Sequence, residues 1–120
     1  MDDTVTIWHN PRCSKSRGAM ELLAEQGIDP QVVRYLDDAP TRRQLEDVLR
    51  MLGTDDPLAI IRTGEPRYAE LGLAGADREA LLDALAAEPV LIERPIVVVG
   101  DRAVVGRPPE RVLDLLRDHE

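Results

Sequence analysis

The sequence predicts an α/β domain: a central four-stranded mixed sheet flanked by helices, with a helical insertion between a β-α-β half and a β-β-α half. Two patterns carry this. Short runs rich in β-branched residues (residues 4–8, 32–36, 96–99 and 103–105) alternate with segments whose leucines recur at helical spacing. Glycines, prolines and capping residues mark each change of period.

Thr4-Val5-Thr6-Ile7-Trp8 reads as the first strand, and His9-Asn10-Pro11-Arg12 as a loop. Cys13-Ser14 then opens a helix with Ala19, Met20, Leu22 and Leu23 at helical spacing and Gly27 as its stop. Residues 32–36 read as a second strand. Thr41-Arg42-Arg43-Gln44 is a capping box, in which Thr41 and Gln44 each satisfy an orphan backbone donor. The helix it starts carries the stripe Leu45, Val48, Leu49 and Leu52 and is closed by Gly53. Asp56-Pro57 is a cap followed by a first-turn proline, predicting a short helix over residues 58–62. A further turn or two is expected over residues 66–71. Asp77 caps a helix to about Ala87, with Leu81, Leu82 and Leu85 inward. Residues 96–99, the turn pair Gly100-Asp101 and residues 103–105 form a β-hairpin. Pro108-Pro109 starts a last helix that should bury Val112, Leu113 and Leu116. This order is the thioredoxin-like plan, expected as one domain over residues 1–120.

Composition narrows the function classes. Apolar residues make up 43% and charged residues 32%, the balance of an ordinary globular chain rather than a disordered or fibrous one. With no Phe, and only Trp8, Tyr35 and Tyr68 as aromatics, the core must be aliphatic. No apolar run approaches the roughly 20 residues of a membrane span. Met1-Asp2-Asp3 is acidic where a signal peptide would be basic. The formal net charge of -8 repels nucleic acid, so no nucleic-acid partner is expected. A single cysteine cannot form an internal disulfide, which fits a reducing cytosol; the expected location is cytoplasmic. Cys13, His9 and distant His119 make no ligand pattern, so no metal is expected.

Cys13 carries the strongest chemical signal. It lies at the first turn of a helix, where unpaired N–H groups and the positive end of the dipole favour a thiolate. Arg12, Lys15 and Arg17 add positive charge nearby, a setting that lowers a cysteine pKa from about 8.5. A buried cysteine acting as a small hydrophobe would have apolar flanks, and these are Arg, Ser and Lys. Ser16 stands where a Cys-x-x-Cys pair has its second cysteine, so turnover must use external thiols. Its hydroxyl could donate to the thiolate or to an oxyanion, or could serve the helix turn alone.

The segment His9-Asn10-Pro11-Arg12-Cys13-Ser14-Lys15-Ser16-Arg17 resembles the His-Asn-Pro-x-Cys-x-x-Ser-Arg segment of the arsenate reductases that use glutathione and glutaredoxin. The similarity continues through Tyr35-Leu36, Pro40-Thr41-Arg42, Arg62, Glu65-Pro66, Arg94-Pro95-Ile96-Val97-Val98 and Gly106-Arg107-Pro108. The resemblance implies that Cys13 is the nucleophile, with His9 supporting its reactivity and Ser16 beside it. It implies that Arg62, Arg94 and Arg107 hold the oxyanion, as planar guanidinium forks suit tetrahedral oxygens. In thioredoxin-like folds the matching proline is cis, which makes Pro95 the cis-proline candidate. Glutathione would be a co-substrate and glutaredoxin a partner, with no bound cofactor and the chain acting as a monomer.

Each residue also has a plainer reading: the arginines as surface or salt-bridge groups, and His9 as a loop cap. Ser14-Lys15 replaces the Gly-Thr that often follows the nucleophile, and longer members continue past the position of Glu120, as expected of a shorter branch. Two other classes share the plan. One is the Spx-like regulator that binds RNA polymerase; the other is a monothiol glutaredoxin-like deglutathionylase, which needs the cysteine but not three arginines.

Overall fold

The computed structural model describes residues 4–119. Four strands form one sheet in the order β2-β1-β3-β4, where β1 is Val5–Trp8, β2 Gln31–Val33, β3 Ile96–Val99 and β4 Arg102–Val105. β1 runs parallel to β2 and antiparallel to β3, and β3 pairs antiparallel with β4. The five α-helices are α1 (Ser14–Glu25), α2 (Arg42–Leu52), α3 (Pro66–Glu70), α4 (Arg78–Ala87) and α5 (Arg111–His119). This is the thioredoxin-like arrangement, with α3, α4 and two 3-10 turns inserted between the halves.

Side chains alternate across the sheet, as a strand period of two requires. Val5, Ile7, Val97 and Val99 face Ala19 and Leu23 of α1 and Val112 and Leu115 of α5. Trp8 and Ile96 face the other way, onto Leu45 and Leu49 of α2 and Leu81, Leu82 and Leu85 of α4. Leu23, Leu49 and Leu85 are all but inaccessible to solvent. Each such burial stabilises the fold by roughly 1.5–3 kcal/mol, and the sheet is held between the two largely aliphatic layers.

The local signals form as predicted. Thr41 Oγ1 accepts the Gln44 N–H at 3.1 Å while Gln44 Oε1 accepts the Thr41 N–H at 2.8 Å, completing the capping box. Gly53 ends α2 at φ +84°, a conformation that strains any residue with a Cβ. Asp77 Oδ1 caps α4 through the Ala80 N–H at 2.8 Å. Val99 pairs with Arg102, which makes Gly100-Asp101 a two-residue hairpin turn.

Three expectations need correction. The second strand covers Gln31–Val33 rather than residues 32–36, because its partner β1 ends at Trp8. Beyond Val33 the chain turns, with the Arg34 carbonyl accepting from the N–H groups of Asp37 and Asp38. The helix over residues 58–62 is one 3-10 turn, Pro57–Ile60, after which Ile61 is extended and bridges Ile92. The last helix begins at Arg111 and buries Val112 and Leu115, leaving Leu113 and Leu116 only partly covered. Cys13-Ser14 does open α1, with Cys13 as its N-cap and Ser14 as its first residue.

Candidate active site

The loop between β1 and α1 is fixed by its own backbone. The His9 N–H donates to the Val33 carbonyl at 2.9 Å, so the loop leaves the sheet at a pinned point. Asn10 then organises the turn: its side-chain oxygen accepts the Arg12 N–H and its carbonyl accepts the Cys13 N–H, both at 3.0 Å. Cys13 is extended (φ −95°, ψ 123°) and half-buried, and its carbonyl accepts the Arg17 N–H to start the helix. Its sulfur faces the N–H groups of Ser16 and Lys15.

Burial pushes the Cys13 thiol pKa up, but those two N–H groups, together with the charge and a hydrogen bond of Arg94, outweigh it and hold the pKa below its ordinary value. The guanidiniums that matter come from far along the chain rather than from the sequence neighbours. Arg12 is exposed, and Arg17 Nη1 donates to the Pro11 carbonyl at 2.9 Å, where it braces the loop. Lys15 acts through its backbone.

Arg94 and Arg107 flank the sulfur because β3 begins, and β4 ends, beside the start of α1. Arg107 Nη1 lies 3.9 Å from Cys13 Sγ and donates to the Arg94 carbonyl at 3.2 Å. Both arginines precede cis peptide bonds, Arg94–Pro95 and Arg107–Pro108. The Gly106 N–H donates to the Pro95 carbonyl at 2.9 Å, which fixes the two segments against each other. Glu93 contacts both guanidiniums, at 3.2 Å to Arg94 Nη1 and 4.0 Å to Arg107 Nε. Arg94 Nε is buried and has no hydrogen-bond partner among the described residues.

Arg62 approaches by the Ile61–Ile92 bridge. Its N–H donates to the Leu91 carbonyl while the Glu93 N–H donates to the Ile60 carbonyl, both at 2.8 Å. Its guanidinium contacts Glu65 at 3.3 Å and the Val90 carbonyl at 3.3 Å. Arg62, Arg94 and Cys13 all act electrostatically on one buried phenol, that of Tyr35. Burial raises the Tyr35 pKa and a hydrogen bond to the Asn10 side chain opposes it. The site is therefore one constellation of Cys13, Arg94 and Arg107, with Arg62 and Tyr35 within electrostatic reach of it.

His9 and Ser16 lie behind the loop. His9 Nδ1 is 2.6 Å from Ser16 Oγ, and that oxygen accepts the Asn10 N–H at 3.0 Å. Ser16 is fully buried and His9 nearly so. Burial, then the charges of Arg34 and Arg17, lower the His9 pKa and favour the neutral ring. The Ser16 hydroxyl is thus engaged by His9 and by the Asn10 N–H and serves the loop, while the Ser16 N–H serves the sulfur. Among the described residues no group of three His, Cys, Asp or Glu could hold a metal ion, and no helix is long and apolar enough to cross a membrane.

Sequence reasoning placed Cys13, Arg94 and Arg107 together but missed Glu93, Asn10 and Tyr35 as members. Glu93 could have been flagged as the acidic neighbour of Arg94-Pro95. The phenol of Tyr35 had no local signal beyond its place in the motif.

Fold and site together define a thioredoxin-like protein with one helix-terminal cysteine facing paired guanidiniums. A model described as the ArsC family matches residues 8–115. Over 110 residues the chain is 46% identical to an arsenate reductase of Neisseria meningitidis, covering 90% of this chain and 94% of that one. It is 45% identical over 118 residues to the Escherichia coli protein YfgD, covering 97% of this chain and 99% of that one. The solved structure of an arsenate reductase from Vibrio cholerae superposes with a TM-score of 0.90 at 45% identity, covering 95% of this chain and 98% of the other. The chain belongs to the ArsC family.

Proposed function

We propose that the protein reduces arsenate, or a closely similar tetrahedral oxyanion, with Cys13 as nucleophile and with glutathione and glutaredoxin as electron donors. The observation that carries this reading is the meeting of one activated thiol with two guanidiniums, Arg107 Nη1 lying 3.9 Å from the sulfur. A deglutathionylase needs the thiol but not that charge. The relatives named arsenate reductase support the choice of substrate.

The Cys13 thiolate forms an S–As bond as an As–O bond breaks, and the departing oxygen leaves as water after protonation. Arg94 and Arg107, with Arg62 within electrostatic reach, offset the charge that builds around arsenic. Glutathione sulfur then displaces a second oxygen from arsenic. Arsenic(V) takes two electrons from the two sulfurs and leaves as arsenite, and Cys13 and glutathione remain as a mixed disulfide. A glutaredoxin thiolate attacks the glutathione sulfur and frees Cys13. The sequence holds one cysteine, so no thiol within it takes that role. His9 and Ser16 keep the loop in shape, and Ser16 also directs its N–H at the sulfur. This reading places the protein in the cytoplasm as a monomer with no bound cofactor.

Intact mass measured after incubation with arsenate and glutathione, without glutaredoxin and without air, tests the proposal. The expected result is one glutathione added at Cys13 only when arsenate is present. An absent adduct, or an equal adduct without arsenate, contradicts it.

A further inference from the structure

Glu93 puts a negative charge inside a site otherwise built for anions. Its Oε1 accepts from Arg94 Nη1 at 3.2 Å and its Oε2 lies 4.0 Å from Arg107 Nε, the two guanidiniums that flank Cys13. The carboxylate is sheltered: the Glu93 side chain is 26% exposed and that of Arg94 17%. Its backbone is fixed by the N–H bond to the Ile60 carbonyl at 2.8 Å and by the Arg94–Pro95 segment that follows. An anion held between Arg94 and Arg107 must therefore share both guanidiniums with the Glu93 carboxylate.

The chemistry of tetrahedral anions gives this arrangement a use. An ionised carboxylate only accepts hydrogen bonds. Arsenate and phosphate keep at least one O–H at neutral pH, so one of their oxygens donates to the carboxylate while the others accept from guanidinium. Sulfate carries no proton at that pH and must bring a bare oxygen against the carboxylate, which leaves two like charges unbridged. We infer that Glu93 is a specificity-determining residue, accepting a hydrogen bond from the O–H of a protonated tetrahedral oxyanion held by Arg94 and Arg107 and so excluding sulfate. This rests on the reading of those arginines as the oxyanion site.

The test is protection of Cys13 from iodoacetamide, a neutral reagent, by sodium arsenate, phosphate or sulfate at constant ionic strength and neutral pH. Arsenate and phosphate should protect the native protein at concentrations about 10-fold or more below sulfate, the cost of an unbridged like-charge contact. In Glu93→Gln the amide can donate to sulfate, and the ratio between sulfate and arsenate should close to within about threefold. Glu93→Asp, which keeps the carboxylate, should retain a preference for arsenate. Equal protection of the native protein by sulfate and arsenate overturns the inference. So does an unchanged ratio in Glu93→Gln, including the case in which both anions bind more tightly in parallel, since Glu93 would then act only as a charge. A ratio is insensitive to the fraction of protein folded, and the expected closing must come from tighter sulfate binding with arsenate still protecting Glu93→Gln; a ratio that closes because arsenate protection is lost overturns the inference, since Glu93 would then only hold the two guanidiniums in place. Absence of protection by arsenate and phosphate in the native protein is a different failure: it removes the oxyanion site, and this inference with it.

Discussion

Arg107 reaches the sulfur of Cys13 across 94 positions of sequence, and the same Nη1, 3.9 Å from that sulfur, also donates to the carbonyl of Arg94 at 3.2 Å. One guanidinium thus joins the start of α1, the entry to β3 and the exit from β4. The packing of α1 and α5 on one sheet face keeps these three chain segments in register.

The first prediction follows from that contact. Arg94→Lys and Arg107→Lys keep the charge but not the fork, because an ammonium presents a single point of attachment. Losing one charge-assisted hydrogen bond of about 1.5–3 kcal/mol should weaken arsenate protection of Cys13 by roughly 10-fold to 150-fold. Arg50→Lys, whose partner is Asp47 on the exposed side of α2, should change protection little.

Cys13 should ionise below the free-thiol value of about 8.5, read as the inflection of the iodoacetamide rate against pH. The folded protein binds the thiol proton less readily than the unfolded chain does, as its lowered pKa requires. Stability from this group is therefore fully present above the unfolded pKa and is lost as pH falls through the folded one. The stability difference between native protein and Cys13→Ser should widen as pH rises through that interval. An inflection at or above the free-thiol value would contradict the assigned helix-terminus effect.

Acid should loosen the loop through His9. Its pKa is lowered by burial and then by Arg34 and Arg17, so the folded state resists a proton that the unfolded chain accepts near about 6.5. The stability conferred by a neutral His9 is complete above that value and is lost as pH falls through the folded pKa. Urea denaturation between pH 7 and pH 5 should show a steeper loss in native protein than in His9→Asn, which cannot protonate but can keep the contact with Ser16. Equal slopes would contradict the buried neutral ring.

Gly106 is the spacer that lets the two arginine segments meet. A Cβ at this position would lie 3.0 Å from Pro95 Cγ and 3.3 Å from Val112 Cγ2. Gly106→Ala should destabilise the protein by about 1–3 kcal/mol, the usual range for overpacking. It should also lower the arsenate-dependent rate more than stability alone explains, because Pro95 cannot yield without moving Arg94. Melting temperature and turnover, measured on the same preparation, check both parts.

What the sequence disclosed was what local chemistry encodes. The capping box at Thr41 and Gln44, the Gly100-Asp101 turn and the cysteine at a helix start all depend on residues within a few positions of one another. The length of β2 and the Ile61–Ile92 bridge depend on partners elsewhere, and those were missed. The inward face of α5 was misjudged for a related reason: with Val112 buried, the helix buries Leu115 three residues on and leaves Leu113 at the side. At the site, Cys13 was legible from its own neighbours, whereas its charge partners Arg94 and Arg107 were named only through the family resemblance. Arg12 and Arg17 are close in sequence yet serve the loop or solvent, and Arg94 arrives only because β3 pairs with β1. Glu93 lay beside a conspicuous Arg-Pro pair, and only the folded geometry shows that it touches both guanidiniums.

The central claim is that Cys13 passes electrons from glutathione to arsenate. Arsenite formation should be followed directly, with purified protein, arsenate, glutathione, glutaredoxin and NADPH recycling of oxidised glutathione. The account predicts steady production of arsenite that requires both thiol components and falls to the protein-free background in Cys13→Ser. Production at the native rate by Cys13→Ser, or none above background by native protein, would contradict it.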